Sequence, residues 1–275
     1  MEQHLRLENH WLACMAAAGG GARVTRFVGG LVVANPRVAG LAFNFIALRG
    51  VQPERLPAAL DIGGTLLAAC GRPPAVFLSP AAGDMAQLGH TLAEFGWKRL
   101  VLQSVLVRSL SMTDQFAAHS GTASSEIAVE PVPPERASLW SRTLVDAYEV
   151  DPITAESLTE AWEGLLRAPG DGGHALGCLA TLGGRPAGTG LLWWQGDIAG
   201  LYCGAVMPDL RRRGIHRATV QFRLAAAAAA ECTIATLQTE AGSPVERLCT
   251  GELGFSVAYQ RELWAPVQSG IILTL

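Results

Sequence analysis

Length, composition and charge limit the classes of protein that this chain can form. It has 275 residues, of which 49% are hydrophobic and 16% are charged, and its formal net charge is -3. The length suits one large domain or two domains of about 140 residues, and we expect two. A net charge this small gives no global field that attracts DNA, RNA or an anionic membrane. We therefore expect no nucleic acid and no membrane as partner, and any anion site must be local.

Basic residues and cysteines narrow these classes further. Of the 21 basic residues only Lys98 is a lysine, which excludes a Walker phosphate loop because that motif needs Gly-Lys-Ser/Thr. The 6 cysteines are widely spaced and form no C-x-x-C pair, which is typical of buried, reduced thiols. The start of the chain lacks a secretory signal pattern, and no apolar run approaches about 20 residues, so we expect a cytoplasmic protein.

The first 110 residues alternate helices and strands. The hydrophobic pattern predicts an N-terminal helix, strands near residues 30–36, 41–48, 75–79 and 97–110, and helices over residues 53–70 and 85–95. A segment rich in Ser, Thr and other small residues follows at residues 111–126. We therefore predict an N-terminal domain at residues 1–115, a linker at 116–126 and a second domain at 127–275.

The second half contains the same kinds of element. The pattern predicts a strand at residues 127–132, helices at 138–148 and 154–166, a three-stranded antiparallel meander over 174–206, a helix at 217–231, a strand at 233–239, a helix at 245–253 and a final strand at 255–264. Both halves pass from a helix through Gly and an aromatic residue into a strand, in "AEFGWKRLVL" and "GELGFSVAYQ". This parallel indicates a degenerate internal duplication.

A basic turn precedes the long helix of the second half. The stretch "VMPDLRRRGIHRA", residues 206–218, places three arginines and a glycine at the start of that helix. The first N–H groups of a helix have no partner within it, and together with the helix dipole they attract phosphate oxygens. Glycine lets the backbone approach a ligand closely, and arginine adds charge and paired donors. The turn therefore predicts a pyrophosphate site, with a solvated loop before an ordinary helix as the alternative.

This turn and a second motif resemble a known family. "VMPDLRRRGIHRA" and the later "CTGELGF", residues 249–255, are similar to two signatures of the GNAT superfamily of acyl-CoA-dependent N-acyltransferases, in the order expected over residues 126–266. The resemblance implies an α+β (mixed α/β) fold with a central, mostly antiparallel, splayed sheet flanked by helices. With the duplication it implies two GNAT-like domains. It also implies acetyl-CoA (coenzyme A) as co-substrate, and the absence of metal-ligand spacings such as H-E-x-x-H gives no reason to expect a metal.

The resemblance also assigns residues to the coenzyme. It implies that Ala205 and Val206 offer backbone groups to the pantetheine arm, with the Val206 N–H polarising the thioester carbonyl. Gly200 and Gly204 suit the family's bulge in this strand, and packing at a bend is the other explanation. The coenzyme A pyrophosphate would be held by Arg211, Arg212, Arg213, Gly214, Ile215, His216, Arg217 and Ala218.

Two positions depart from the family pattern. His216 stands where the family usually has Gly or Ala, so its imidazole either meets a phosphate or faces solvent, and we expect the second arrangement. Thr250 stands where the family commonly has a tyrosine that protonates the departing thiolate. A threonine hydroxyl is a poor acid, so the acid would have to come from another residue.

Acyl transfer to an amine also needs a base, because a lysine-like amine has a pKa of about 10.4. Glu240 follows the predicted strand at residues 233–239, where splayed strands would open, and is the predicted base or amine anchor. A surface-loop glutamate is the alternative. Tyr202 and Tyr259 are the tyrosines left to act as acid, with Cys249 as a further candidate, and core packing is the alternative for each.

Together these patterns predict an N-acetyltransferase that transfers the acetyl group of acetyl-CoA to a primary amine of a small molecule or peptide. A non-catalytic acyl-CoA-binding sensor or scaffold is the alternative, because Thr250 replaces the usual acid. The first half reads "ALRGVQPERL", residues 47–56, where a duplicate of the basic turn would stand. We therefore expect that half to bind no coenzyme and to shape the acceptor site or the domain interface. Monomer and homodimer both stay open.

Overall fold

The structure is a computed structural model that describes residues 2–18, 22–119 and 126–267. Its contacts divide the chain into two compact units. The first comprises Met1–Leu106, Gln238–Arg247 and Val257–Leu275, and the second comprises Val107–Leu237 and Leu248–Ser256.

Seven helices and eleven strands make up the described part of the chain, apart from short 3₁₀ segments. The helices are α1 (Glu2–Ala17), α2 (Leu56–Ala68), α3 (Met85–Glu94), α4 (Ala137–Ala147), α5 (Pro152–Arg167), α6 (Ile215–Ala229) and α7 (Pro244–Glu252). The strands are β1 (Arg23–Phe27), β2 (Gly30–Ala34), β3 (Phe45–Leu48), β4 (Val76–Leu78), β5 (Trp97–Ser109), β6 (Ile127–Pro131), β7 (Gly173–Leu182), β8 (Arg185–Gln195), β9 (Ile198–Val206), β10 (Ile234–Glu240) and β11 (Ser256–Pro266).

The first unit is a sheet with buried side chains on both faces. Its strand order is β1-β2-β3-β4-β11-β5, with β3 and β4 parallel. Phe45 and Phe77 pack on Trp11 of α1, with ring centroids 4.8 Å and 4.9 Å from the indole. Ile46 and Leu48 alternate with Phe45 along β3 and join a separate core with side chains of α2 and α3. Because successive residues of a strand face opposite sides, a strand covered on both faces has a continuous apolar sequence.

Strand pairing explains why the first unit is discontinuous along the chain. The strand predicted at residues 255–264 forms β11, and its Leu263 pairs with Phe77 of β4 in an antiparallel ladder. This pairing places β11 mostly in the first unit, although the predicted division at one linker assigned these residues to the second domain. Of the predicted linker at residues 116–126, residues 120–125 lie outside the described residues. The residues before them, Met112–His119, form a 3₁₀ helix.

The second unit carries the sheet order β10-β9-β8-β7-β6. Neighbours from β6 to β9 are antiparallel, and β10 is parallel to β9. Gly183 and Gly184 turn the chain between β7 and β8 with φ values of 57° and 81°, which favour glycine. From α4, the Trp140 indole N–H donates to the carbonyls of Cys178 and Gly190 on the sheet. The predicted α+β class, a mostly antiparallel sheet flanked by helices, is confirmed.

Two details of the first half were predicted wrongly. β1 was not predicted, because four of its five residues are exposed and it has no apolar alternation. Of the strand predicted at residues 41–48, Leu41–Phe43 form a 3₁₀ turn and only Phe45–Leu48 form β3. The helices and strands predicted in the second half all appear, each within two residues of its predicted ends.

Candidate functional site

A bulge interrupts β9 in the second unit. Tyr202 of β9 pairs with Leu191 of β8, and the next pair joins Ala205 to Thr189, so two β9 residues oppose one β8 residue. The first of the two, Cys203, has a φ of 50°, a left-handed conformation that is uncommon for a residue with a side chain. The Thr189 hydroxyl donates to the Cys203 carbonyl over 3.0 Å and holds the bulge. The bulge bends β9 and re-aims the residues that follow it.

The two glycines predicted for this bulge have different roles. Gly204 lies in the bulge, and a Cβ on it would approach the His216 imidazole to 3.0 Å. Gly200 lies before the bulge, and a Cβ on it would be 2.3 Å from the Tyr202 ring. Gly200 therefore provides room for the ring of Tyr202, which is the packing explanation, whereas Gly204 belongs to the bulge as predicted.

The parallel pairing of β9 with β10 is short. It joins Ile198 to Ile234 and ends with the pair Gly200 and Thr236, although β9 continues to Val206. On the other side, β9 keeps its β8 ladder as far as Gly188 opposite Val206. After Gly200, β9 therefore stays paired with β8 but is no longer paired with β10.

Backbone direction separates the two residues predicted for the pantetheine arm. The Met207 N–H donates to the Ala187 carbonyl over 2.9 Å. Because successive residues of a strand alternate in backbone direction, the backbone groups of Ala205 face β8 and those of Val206 face away from it. The prediction for Ala205 therefore needs correction, since its N–H and C=O belong to the β8 ladder. Val206 keeps the orientation that the prediction requires.

The basic turn begins α6 without a side-chain cap. Gly214 is the N-cap residue with a φ of 85°, and Arg212 also has a positive φ, of 66°. The first N–H groups of α6 belong to Ile215, His216 and Arg217, and groups at this position lie before the intrahelical ladder. The Ala218 N–H, by contrast, donates to the Gly214 carbonyl over 3.0 Å. Ala218 therefore lines the turn but its amide is already used by the helix.

Two of the four arginines of the turn are held by other parts of the second unit. Arg211 donates to the Ala147 carbonyl at the end of α4 over 3.1 Å and lies 3.5 Å from the Glu149 carboxylate. Arg217 forms an ion pair with Glu252 of α7. Both ion pairs are exposed, and exposed ion pairs contribute little free energy, so an anion can compete for these guanidinium groups.

The other two arginines face solvent. Within the described part of the chain, Arg212 and Arg213 form neither an ion pair nor a hydrogen bond, and both are exposed. Next to them Arg185 donates to the Asp209 carboxylate over 2.7 Å. This bond, with the charges of Arg185 and Arg213, holds the pKa of Asp209 below its usual value. The cations with most freedom to meet a polyanion at the helix start are therefore Arg212 and Arg213.

His216 does not face solvent as expected. Its imidazole packs against Gly204, as the 3.0 Å approach to a Cβ there shows. Burial, reinforced by the charge of Arg223, lowers the pKa of His216 to about 4. The imidazole is therefore neutral at neutral pH and brings no positive charge to the turn.

The predicted catalytic residues are not brought together in one unit. Glu240 ends β10, is exposed and belongs to the first unit. Tyr259 also belongs to the first unit, where its ring lies 5.1 Å from the His4 ring and burial raises its pKa. Tyr202 belongs to the second unit but is 7% exposed and packs on Gly200. Cys249 is fully buried, and burial raises the pKa of its thiol to about 11.

Sequence reasoning missed two residues of the second unit. Arg223 of α6 is 1% exposed and lies under the β9 bulge, with its Nη1 2.9 Å from the Tyr202 carbonyl oxygen. A single arginine within the otherwise apolar "FRLAAAAAA" was the signal that could have revealed it. Tyr148 follows α4, and burial of its hydroxyl raises its pKa, with the neighbouring Cys203 as a second cause. Nothing in the local sequence marks Tyr148.

The described residues contain no group of three His, Cys, Asp or Glu side chains that could hold a metal ion. Nor is any helix in the described ranges long and apolar enough to cross a bilayer.

Comparison with known proteins identifies the fold. No family model and no curated protein matches the sequence. A GCN5-related N-acetyltransferase from Kribbella flavida superposes with a TM-score of 0.68 at 16% identity, covering 95% of both chains. A functionally unknown conserved protein from Staphylococcus epidermidis ATCC 12228 gives 0.67 at 10% identity, over 90% of this chain and 94% of its own. A tandem GNAT protein from the clavulanic acid biosynthesis pathway gives 0.57 at 14% identity, over 92% and 93%. The chain thus has the GNAT fold.

Proposed function

We propose that the chain is an acyl-CoA-dependent N-acetyltransferase and that its second unit binds the coenzyme. The observation that carries the proposal is the geometry of β9, which ends its pairing with β10 at Gly200, bulges at Cys203 and leaves the Val206 N–H directed away from β8. The uncapped start of α6 at Gly214 follows eight residues later. A backbone donor in a fixed position can hold a thioester carbonyl, and the free N–H groups at a helix start can hold a diphosphate. Under the proposal, Val206 supplies the first and the start of α6 supplies the second, within one segment of the chain.

The residues divide the work of binding. Under the proposal, the N–H groups of Ile215, His216 and Arg217 receive the pyrophosphate, and Arg212 and Arg213 supply the charge. Since His216 is neutral, it contributes its backbone N–H but no positive charge. The Val206 N–H donates to the thioester carbonyl oxygen and stabilises the negative charge that develops there during attack.

In the proposed reaction a neutral primary amine attacks the carbonyl carbon of acetyl-CoA. A C–N bond forms, the C–S bond breaks, the amine proton passes to a base, and the departing thiolate takes a proton to give free coenzyme A. Glu240 stays the predicted base, and general-base catalysis gives a gain on the order of 10²- to 10⁴-fold. Proximity of the amine and the thioester supplies much of the remaining acceleration. The acceptor we propose is a small-molecule or peptide amine, and a homodimer stays open.

Calorimetry followed by a turnover assay tests the proposal. Coenzyme A is titrated into the full chain, and free thiol is then followed on mixing with acetyl-CoA and a panel of primary amines. We expect binding to one site and amine-dependent thiol release above the rate without protein. Absence of binding would reject the proposal. The same panel with propionyl-CoA and butyryl-CoA measures the choice of acyl group.

A second candidate is an acyl-CoA-binding protein without turnover. It is favoured by Thr250, which is exposed on α7 at the position of the usual acid. Binding of coenzyme A with no thiol release from any amine in the panel would support this candidate. If the chain binds no coenzyme at all, thermal unfolding will be unchanged by the ligand, whereas a ligand at 100 times its Kd would stabilise the fold by about 2.7 kcal/mol.

A further inference from the structure

A buried cation lies beneath the β9 bulge. The Arg223 guanidinium donates from Nη1 to the Tyr202 carbonyl over 2.9 Å and from Nε to the Thr219 carbonyl over 2.9 Å. A longer contact of 3.4 Å joins Nη1 to the Leu191 carbonyl. Arg223 thus contacts the pair of residues, Tyr202 and Leu191, at which the ladder of β8 and β9 shifts register.

The sheet is built to accept this side chain. Gly190 lies opposite the bulge, and the Arg223 guanidinium occupies the space that a side chain at this position would fill. A Cβ on Gly190 would lie 2.6 Å from the Arg223 Nε and 2.8 Å from its Cζ. A glycine in the middle of a strand weakens the strand, and a common reason for it is the close approach of another group. Here the group is the guanidinium.

The charge of Arg223 has no buried counterion. No carboxylate among the described residues pairs with it. Burial lowers the pKa of Arg223, but a guanidinium stays protonated in proteins because its pKa starts above about 12. The titratable groups that face it are neutral at neutral pH. Burial raises the pKa values of Cys178 on β7 and Cys249 on α7 to about 11 and those of Cys203 and Tyr148 still further, and it lowers the pKa of His216 to about 4. Burial of a cation without a counterion costs folding free energy. A residue that is kept at this cost is a candidate for a functional role.

We propose that Arg223 is a positioning residue for acyl transfer, which fixes the bulge through the Tyr202 and Leu191 carbonyls and holds a permanent positive charge beneath the strand that presents the Val206 N–H. The inference rests on the proposed function. The charge of Arg223 stabilises the negative charge that develops on the carbonyl oxygen during attack and on the sulfur when the C–S bond breaks. A thiolate that is stabilised in this way depends less on a strong acid, which fits the presence of Thr250 where the family commonly has tyrosine.

The decisive measurement is the thiol pKa of bound coenzyme A, followed by the ultraviolet absorbance of the thiolate in the full chain. Burial raises the pKa values of the Cys178 and Cys249 thiols to about 11. Subtracting the titration of the ligand-free chain from that of the complex removes the contribution of all the protein's own thiols. We expect Arg223→Met to raise the bound thiol pKa by at least about 1, since a nearby opposite charge lowers a pKa by about 1 to 3. We expect kcat to fall at least about 10-fold, with KM for acetyl-CoA changing less.

A glycine pair tests the positioning role if Arg223→Met does not fold. Gly190→Ala keeps the charge but displaces the guanidinium, and we expect it to lower kcat. Gly164→Ala in α5 is the matched control, because a Cβ there meets nothing within 4 Å. Wild-type kcat in Gly190→Ala, or an unchanged bound thiol pKa in folded Arg223→Met, would overturn the inference. Neither result touches the proposed function, which fails only if the wild-type chain binds no coenzyme A or transfers no acyl group.

Discussion

The two units contain comparable parallel strand pairs that end differently. In the first unit β3 and β4 pair at Ile46 with Val76, and the loops after them stay joined. The Gly50 N–H donates to the Ala81 carbonyl over 2.9 Å and the Val51 N–H donates to the Ala82 carbonyl over 2.7 Å. In the second unit the pairing of β9 and β10 ends after three residue pairs, and β9 then bulges. Backbone donors that could meet a thioester are used in the first unit and directed outwards in the second.

The helices after these strands differ in the same sense. α6 begins at Gly214, whose positive φ of 85° no other residue type adopts as readily, and it has three N–H groups ahead of its ladder. α2 begins after Arg55 with a proline in its first turn, and proline has no N–H to offer. The same order of elements thus leaves the helix start without a side-chain cap in one unit and gives a closed, packed loop in the other. That the first half binds no coenzyme stays a prediction.

The largest effect expected is loss of coenzyme affinity when the solvent-facing arginines of the turn are removed. Arg212→Gln with Arg213→Gln should raise the Kd for coenzyme A on the order of 100-fold, because two charge-assisted contacts of about 1.4 kcal/mol each are lost. Calorimetry of the full chain measures it. The matched control is Arg26→Gln with Arg55→Gln, an equal change of charge at exposed residues of the first unit, which should leave the Kd unchanged. Equal weakening by both double variants would show that the effect is only global charge.

Arg211→Gln sharpens the same comparison within the turn. Since its guanidinium already contacts the Ala147 carbonyl and Glu149, we expect it to weaken coenzyme binding less than either neighbour does. A Kd change larger than that of Arg213→Gln would mean that Arg211 leaves α4 when the coenzyme binds.

A smaller effect is expected in the pH dependence of stability. The lowered pKa of His216, about 4, means that the folded state binds this proton more weakly than the unfolded state, whose pKa is about 6.5. Acidification from about pH 6.5 towards pH 4 therefore destabilises the fold, by at most about 1.4 kcal/mol per pH unit for one proton, and the loss levels off below pH 4. Denaturant unfolding should show a shallower pH dependence in His216→Gln. His90→Gln, at an exposed position beside Glu94, is the control for the loss of one histidine.

Local pattern was sufficient for most of the second unit. The start of α6 follows from Gly214, and the hairpins follow from Gly183, Gly184 and Gly196, because these residues tolerate the positive φ that each turn needs. The strands of the meander follow from short apolar runs between those turns. The turn before α6 was therefore predicted in the right place, although Ala205 and Ala218 use their amides within the sheet and the helix. Its binding of coenzyme A stays a prediction.

Long-range packing was not readable in the same way. The pairing of β11 with β4 joins residues far apart in the sequence, and no periodicity encodes which edge a strand will choose. The bulge at Cys203 places a residue with a side chain at positive φ, where a sequence argument looks for glycine. The buried position of Arg223 on α6 is recognised only from its contact with Gly190, a residue of β8 that is distant in the sequence. Each of these features depends on a partner that the local sequence does not name.

The smallest effect should come from adding one methyl group at a glycine between strand and helix in each unit. Gly214→Ala and Gly50→Ala both place a Cβ at positive φ in open space, with nothing closer than 3.9 Å at Gly214 and nothing within 4 Å at Gly50. Each should lose about 1 kcal/mol of unfolding free energy to backbone strain. Only Gly214→Ala should also weaken coenzyme A binding, by about 5-fold or 1 kcal/mol, because the proposed function assigns the pyrophosphate to the N–H groups that follow Gly214. Urea unfolding and calorimetry on the same two variants separate these effects. Equal weakening of binding by Gly50→Ala would contradict the assignment of the coenzyme to the second unit, since the matched strain leaves no other difference to explain it.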